Sequence, residues 1–448
     1  MKSFKMGFIG LLMLVLSLNS TYSQTPAGIT KKEMTEIIDK AIVLLKENYV
    51  FPGKIPAIEK KVTDKLRSGG YDTFKDRGEF LQSLNNDLEQ SGHDHHLDIF
   101  YGPARVRQII ANNETKKNRV EEKVTDEWLQ MMQYENFRLR KLERLNGNIG
   151  YFSFLSFTTL SASKQSIAAA MNFLLYSSAI IIDLRENGGG NAETVAFMLS
   201  YFLPDSTHIS QWKFRKNNET VHLYTMRDEI INKIPATTPL YVLVSNRTSS
   251  AAEAFAYALQ QRKRATIIGE QTKGEGNPGT LFVINDDLYM MIPTAEGTDA
   301  VSKKSFDGIG VTPDMSITKD KAYAKALLQA YSFLATTTKA DEQKAMYLWQ
   351  LPLLEQELAP EQLSQNIVSS LVGDYEGGRK VIVENSTVFY VNTKGEKEKL
   401  IYIGKGVFQN DGKSWIRLVM PRTDKPVSSF SWVWDDGKKP QVVKRISK

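Results

Sequence analysis

Two stretches of this chain place nucleophile-type and base-type residues where a fold could use them. The first is Thr248-Ser249-Ser250, followed by Ala251-Ala252-Glu253-Ala254-Phe255-Ala256-Tyr257-Ala258-Leu259. Its small residues read as a helix that approaches other backbone closely, and a hydroxyl at the positive end of a helix is placed for attack on a carbonyl, because the same N–H groups stabilise the oxyanion that forms. Ser and Thr are also the preferred N-caps of ordinary helices, so the stretch by itself reads either as a cap or as a nucleophile. The second is Gly92-His93-Asp94-His95-His96, which holds three of the five histidines. One of them could accept a proton from a serine. In an extended segment His93 and His95 would share a face and could ligate zinc with a carboxylate, but with no cysteine and no second His-rich stretch a polar turn is the simpler role. His208 and His222 stand alone and are expected on the surface or in a sheet. Three glycines, Gly188-Gly189-Gly190, form a turn suited to an anion, although it lacks the lysine of a phosphate-binding loop.

These groups need elements to hold them. Leu240 to Val244 is apolar throughout and reads as a strand buried on both faces, feeding the serine helix. Ala179 to Leu184 is a second such strand, running into the glycine turn and a helix over 191–203. Further alternation, with a helix over 162–175, a strand over 265–269 and a hairpin turning at Asn285-Asp286-Asp287, implies an α/β core. Before it, Ile37, Ile38, Ala41, Ile42, Leu45 and Tyr49 fall on one helical face, and more helices fit 57–66 and 74–88. Residues 105–144 are charged and helical in character. Helical stretches over 322–371, with a break at Pro352, give way after Gly373 to short strands punctuated by Asp411-Gly412 and Asp436-Gly437.

Composition narrows the function classes. The 448 residues exceed one ordinary core. With 42% hydrophobic and 24% charged residues, neither disorder nor a multi-span membrane protein is a starting point. Lys2 and Lys5 precede an apolar core over 6–18 and a small-residue segment, the layout of a secretory leader cut near Ser23. No other run reaches transmembrane length, so an exported chain without an integral span is expected, periplasmic or extracellular. The absence of cysteine removes disulfides and thiol catalysis. The formal charge of +6 includes both leader lysines, and the remainder is too small to suggest nucleic acid.

In order and spacing, Asp183-Leu184-Arg185-Glu186-Asn187-Gly188-Gly189-Gly190, Ser249-Ser250 with Glu253, Gly269 to Gly274 and Gly308-Ile309-Gly310-Val311-Thr312-Pro313-Asp314 resemble the C-terminal processing (tail-specific) serine peptidase family. The likeness covers about residues 30–316 and is nearest to the branch with the interphotoreceptor retinoid-binding protein and the tricorn core. It implies a crotonase-like ββα-superhelix core. The chain then divides into a leader (1–23), an N-terminal helical domain (24–100), a charged helical connector (101–146), the catalytic core (147–316), a helical spacer (317–372) and a small all-β domain (373–448). By position the resemblance makes Ser250 the nucleophile. It makes the backbone N–H groups of Ala251 and Gly189 the oxyanion hole, with Gly190 as the alternative donor. The lysine of the better-known branch is replaced by Glu275, so the base falls to His96, oriented by Asp307; Lys273 is the rival base. No cofactor and no metal are implied. The expected function is an exported serine peptidase acting on peptides or proteins, and the alternative is a non-catalytic hydrophobic-ligand or peptide-binding protein on the same fold. No motif specifies substrate identity or oligomeric state.

Overall fold

The computed structural model describes residues 28–117, 126–227, 230, 232–421 and 425–446, so the leader read over 1–23 lies outside the described residues. The chain forms two compact units, the first holding most of the chain up to Ile317 and the second Thr318–Lys448 with the short segments Arg144–Gly150 and Ser177–Ala179.

The first unit begins with helices α1 (Lys31–Asn48), α2 (Ile55–Arg67) and α3 (Arg77–Gly92), then strand β1 (Asp98–Tyr101) and helices α4 (Pro103–Lys117) and α5 (Asp126–Tyr134). Thr30 and Glu33 start α1 with a reciprocal capping box, and the apolar face expected from the spacing is buried. Strands β2 (Leu139–Leu145) and β3 (Ile149–Phe154) follow, then α6 (Leu160–Leu174), β4 (Ala179–Asp183), α7 (Ala192–Leu199), the hairpin β5 (His208–Phe214) and β6 (Thr220–Tyr224), β7 (Leu240–Val244) and α8 (Ala251–Gln261). The unit closes with β8 (Thr266–Gly269), β9 (Gly279–Val283), β10 (Leu288–Pro293), β11 (Ala295–Asp299) and β12 (Met315–Ser316).

The main sheet runs β12-β8-β7-β4-β3-β2, with β4, β7, β8 and β12 parallel. Every residue of β4 and β7 is buried, as the apolar runs 179–182 and 240–244 require, and the Asp183 that ends β4 accepts the Tyr151 hydroxyl at 2.7 Å. Two three-stranded sheets, β1-β10-β9 and β11-β5-β6, complete the unit. The N-terminal helices do not form a core of their own. β1 pairs antiparallel with β10, and Leu288, Met290 and Ile292 of β10 lie in one apolar cluster with Ile38, Leu45, Phe80 and Leu84.

One expectation for the connector fails. Residues 139–145 form β2, the edge strand of the main sheet, rather than continuing a helix. Long charged side chains are common on edge strands, where they discourage further pairing, and Lys141 lays its chain over the Tyr151 ring with its ammonium 5.6 Å from the centroid. Counting charges there mimics a solvated helix.

The second unit holds α9 (Lys319–Thr337), α10 (Asp341–Leu358), α11 (Gln365–Leu371) and eight antiparallel strands from β13 (Gly373–Tyr375) to β20 (Gln441–Lys444) in strict meander order. A bridge between Tyr375 and Arg445 joins the first strand to the end of the last, so the sheet closes into a barrel. The helices expected as a spacer are instead part of this unit. The Arg417 guanidinium lies 3.9 Å over the Trp349 ring, and Leu371 is buried in the barrel core. α10 continues through Pro352 without a break.

Candidate active site

Ser250 sits at the turn from β7 into α8 with φ 53° and ψ −119°, a region that L-residues rarely occupy. Its neighbours hold it there. Thr248 Oγ donates to the Leu184 carbonyl at 2.7 Å and accepts the Ser245 N–H at 2.9 Å. Ser249 Oγ donates to the Gly188 carbonyl at 2.9 Å, so this hydroxyl ties the serine turn to the glycine turn. The Ser250 N–H donates to Glu253 Oε2 at 2.8 Å. Ser250 is thus the N-cap of α8, in a capping box with Glu253, and is also held, 5% exposed, on a strained strand-to-helix turn of the kind that presents a nucleophile.

The glycine turn packs directly against it. At Gly189, with φ 98°, an added Cβ would stand 2.8 Å from Ser250 Cβ and 3.0 Å from the Ala251 nitrogen. Only glycine keeps that space open. The turn is rigid: Asn187, fully buried, donates from Nδ2 to the Phe154 carbonyl at 3.0 Å and accepts the Gly189 N–H on Oδ1 at 2.9 Å. The expected second oxyanion donor, the Gly189 N–H, is therefore engaged within its own turn. Among the described residues the N–H groups of Gly190 and Ala251 take no partner.

Glu253, fully buried, organises the opposite wall. Its carboxylate accepts from the Ser250 N–H, from Thr272 Oγ at 2.5 Å, from the Gly274 N–H at 2.7 Å and from the Glu275 N–H at 2.8 Å. Burial pushes its pKa up to about 7, against the lowering effect of these four donors. Sequence reasoning used Glu253 only as a spacing marker, although the Ser-x-x-Glu pattern at a helix start is the signal for its bond to the Ser250 backbone.

Glu275, which the resemblance sets in the place of the better-known branch's lysine, is buried and ion-paired with Lys273. Burial alone would lower the Lys273 ammonium, but Glu275, with Asp98 and Glu89 beyond it, outweighs burial and holds the pKa above its ordinary value. A lysine kept protonated cannot take a serine proton.

His96 follows the left-handed end of α3 at His93. It is 5% exposed, and both ring nitrogens are buried without a partner among the described residues. Its backbone N–H donates to Asp94 Oδ1 at 3.0 Å, while Asp94 Oδ2 accepts the Tyr49 hydroxyl at 2.9 Å. Asp307 is raised by burial and by Asp94 and lowered by His96, which puts the imidazole within its electrostatic reach. Asp307 Oδ1 accepts the N–H groups of Gly276 at 2.9 Å and Asn277 at 3.1 Å. The structure thus links Ser250 to the 274–275 turn through Glu253, and Asp307 to the residues that follow that turn. Hydrogen bonds from His96 to Ser250 and to Asp307 are not formed. His95 pairs with Glu89, and His208 and His222 face each other at 3.1 Å across β5 and β6.

Residues 148–317 match the model of peptidase family S41, and residues 29–135 match the N-terminal domain of Peptidase_S41 in eukaryotic IRBP. The chain belongs to peptidase family S41. This S41 chain is 30% identical to a carboxy-terminal-processing protease of Bartonella bacilliformis over 39% of its own length and 40% of the relative's. It is likewise 30% identical to the carboxyl-terminal-processing protease of Synechocystis, over 37% of each chain. The aligned part thus spans well under half of these relatives. The photosystem II D1 C-terminal processing protease structure aligns at 14% identity over 65% of this chain and 94% of that chain, with a TM-score of 0.39. That distance transfers no residue role.

Proposed function

We propose that this S41 chain is an exported serine peptidase that hydrolyses peptide bonds through an acyl-enzyme on Ser250, with His96 as general base and Asp307 as the carboxylate that orients it. One observation carries the reading: Ser250 is held at φ 53° at the start of α8, facing a glycine turn that leaves room for a reacting carbonyl. His96 takes the hydroxyl proton as Oγ bonds to the carbonyl carbon. The oxyanion is met by the Ala251 N–H and by the glycine turn, where Gly190 holds the unspent N–H and Gly189 the engaged one. Collapse expels the amine, which leaves with the proton from His96, and water then releases the acyl group by the same steps in reverse. His96 closes on Ser250 when substrate binds, since such bonds are often open in an unliganded site.

Glu275 in the lysine position and the open His96 ring favour a second reading, a binding protein without turnover. A fluorophosphonate probe separates the two: the peptidase labels at Ser250 and the Ser250→Ala protein does not. Absence of labelling in the unaltered, folded chain overturns the catalytic reading. Export rests on the leader over 1–23; among the described residues no helix is long and apolar enough to cross a membrane.

A further inference from the structure

Beside Ser250 a cleft opens between α8 and the small β11-β5-β6 sheet. Its walls include Val195, Ile209, Trp212, Leu223, Ala254 and Phe306. Ala254 is half-buried where its helical neighbours are buried, so α8 turns a methyl toward this space. Asp299 lines the cleft as well, yet its carboxylate is already satisfied by the N–H groups of Val301 and Ser302, both at 2.8 Å, and by Arg262 Nη1 at 3.1 Å. Glu275 is paired with Lys273. Lys304 also lines the cleft but is exposed to solvent. The buried walls therefore offer a bound side chain hydrocarbon and no uncompensated buried charge, and a charged side chain seated against them would lose its hydration without gaining a partner.

One polar group stands apart. Asn277 is 1% exposed and lines the cleft. Its Oδ1 accepts the Gly297 N–H at 3.0 Å, which fixes the orientation of the amide, because a flip would set two donors against each other. Its Nδ2 is buried and has no partner among the described residues. A donor held in this way discriminates in favour of a ligand that brings an acceptor. Every residue of a peptide brings a carbonyl.

Resting on the peptidase reading, we propose that this cleft seats the side chain on the acyl side of the cleaved bond, that it selects uncharged aliphatic side chains, and that Asn277 Nδ2 donates to a main-chain carbonyl of the bound peptide. Ala254 limits the size of the side chain from the α8 wall.

The test is cleavage of a peptide set differing only at that position, with products read by mass spectrometry and labelling by a small fluorophosphonate run in parallel. Leu, Val or Met is expected to exceed Asp and Lys by about tenfold or more in kcat/KM. Asn277→Asp keeps the acceptor for Gly297 and removes the donor, so it should lower kcat/KM for every peptide about tenfold while the probe, which has no peptide carbonyl, still labels Ser250. Ala254→Leu should lose the larger aliphatic side chains and keep Ala, again with labelling retained as evidence of a folded site. Preference for a charged side chain, or an Asn277→Asp protein that cleaves as the unaltered one does, overturns the proposal. If the unaltered chain takes up no probe, the peptidase reading falls, and binding of the same peptides by fluorescence polarisation decides the cleft separately: a preference for aliphatic over charged peptides that Asn277→Asp weakens supports it, and no preference overturns it.

Discussion

At the scale of single residues, the two serines before α8 have been given different work. Ser249 spends its hydroxyl on the Gly188 carbonyl, while Ser250 occupies the strained position against the glycine turn. Ser250→Ala should abolish probe labelling and peptide hydrolysis without loss of fold, whereas Ser249→Ala should keep labelling and cost about 1 kcal/mol of stability for the lost hydrogen bond, read by chemical denaturation. The base is tested in the same way. His96→Ala should lower kcat/KM by several orders of magnitude, and Lys273→Ala should remain active because Glu275 keeps that ammonium protonated. A dead Lys273 variant beside an active His96 variant would assign the base to lysine.

A further residue-scale consequence concerns Asp98. Burial, only partly offset by Lys273, raises its pKa to about 6 from an ordinary 3.8. The folded chain then holds a proton at a pH where the unfolded chain has released it. Stability from this group is complete below about pH 4 and drains as pH rises through 6. Asp98→Asn should flatten the fall in unfolding free energy between pH 4 and pH 7 by roughly 2 kcal/mol. Denaturant melts at several pH values check this, and an unchanged slope would show that Asp98 titrates normally.

Among elements, the turn from β4 into α7 and the turn from β7 into α8 function as one piece. Gly189→Ala sets a methyl 2.8 Å from Ser250 Cβ in a backbone region with φ 98°. It should eliminate labelling and destabilise the protein by about 1–3 kcal/mol. Retained labelling at the normal rate would mean that the glycine turn does not bound the reacting carbonyl. On the other side, Glu253 gathers four donors from Ser250 and the 272–275 segment, so the site is assembled by three loops at the ends of parallel strands, where α/β folds commonly place ligands.

For the whole molecule, every candidate catalytic residue lies in the first unit. A chain ending at Ile317 should therefore still label at Ser250 and hydrolyse small peptides. A cut just before Gly373 should fare worse in solubility, since it strips the Arg417 guanidinium from Trp349 and the barrel core from Leu371. Size-exclusion chromatography and probe labelling of the two truncations compare them; a soluble, folded chain ending at Ile317 that takes up no probe would place part of the site in the second unit.

What the sequence determined by itself was local. The apolar runs at 179–182 and 240–244 read as buried strands, and the small-residue run after Ser250 read as a closely packed helix. These signals are carried by residues within one or two turns of each other. The edge strand 139–145, the sheet β11-β5-β6 and the closure of the barrel were not legible, because their strands are short or charged and gain their stability from partners far away in the chain. The site shows the same division. The serine stretch and the glycine turn stood out by residue type, and the resemblance to the peptidase family chose Ser250 over Ser249. Only the tertiary structure decided that Glu253 binds the 274–275 turn, since burial forces these groups, distant in the chain, to share one carboxylate. The bonds of Gly189 to Asn187 and of Lys273 to Glu275 join near neighbours, and the turn conformations that the fold imposes bring them together.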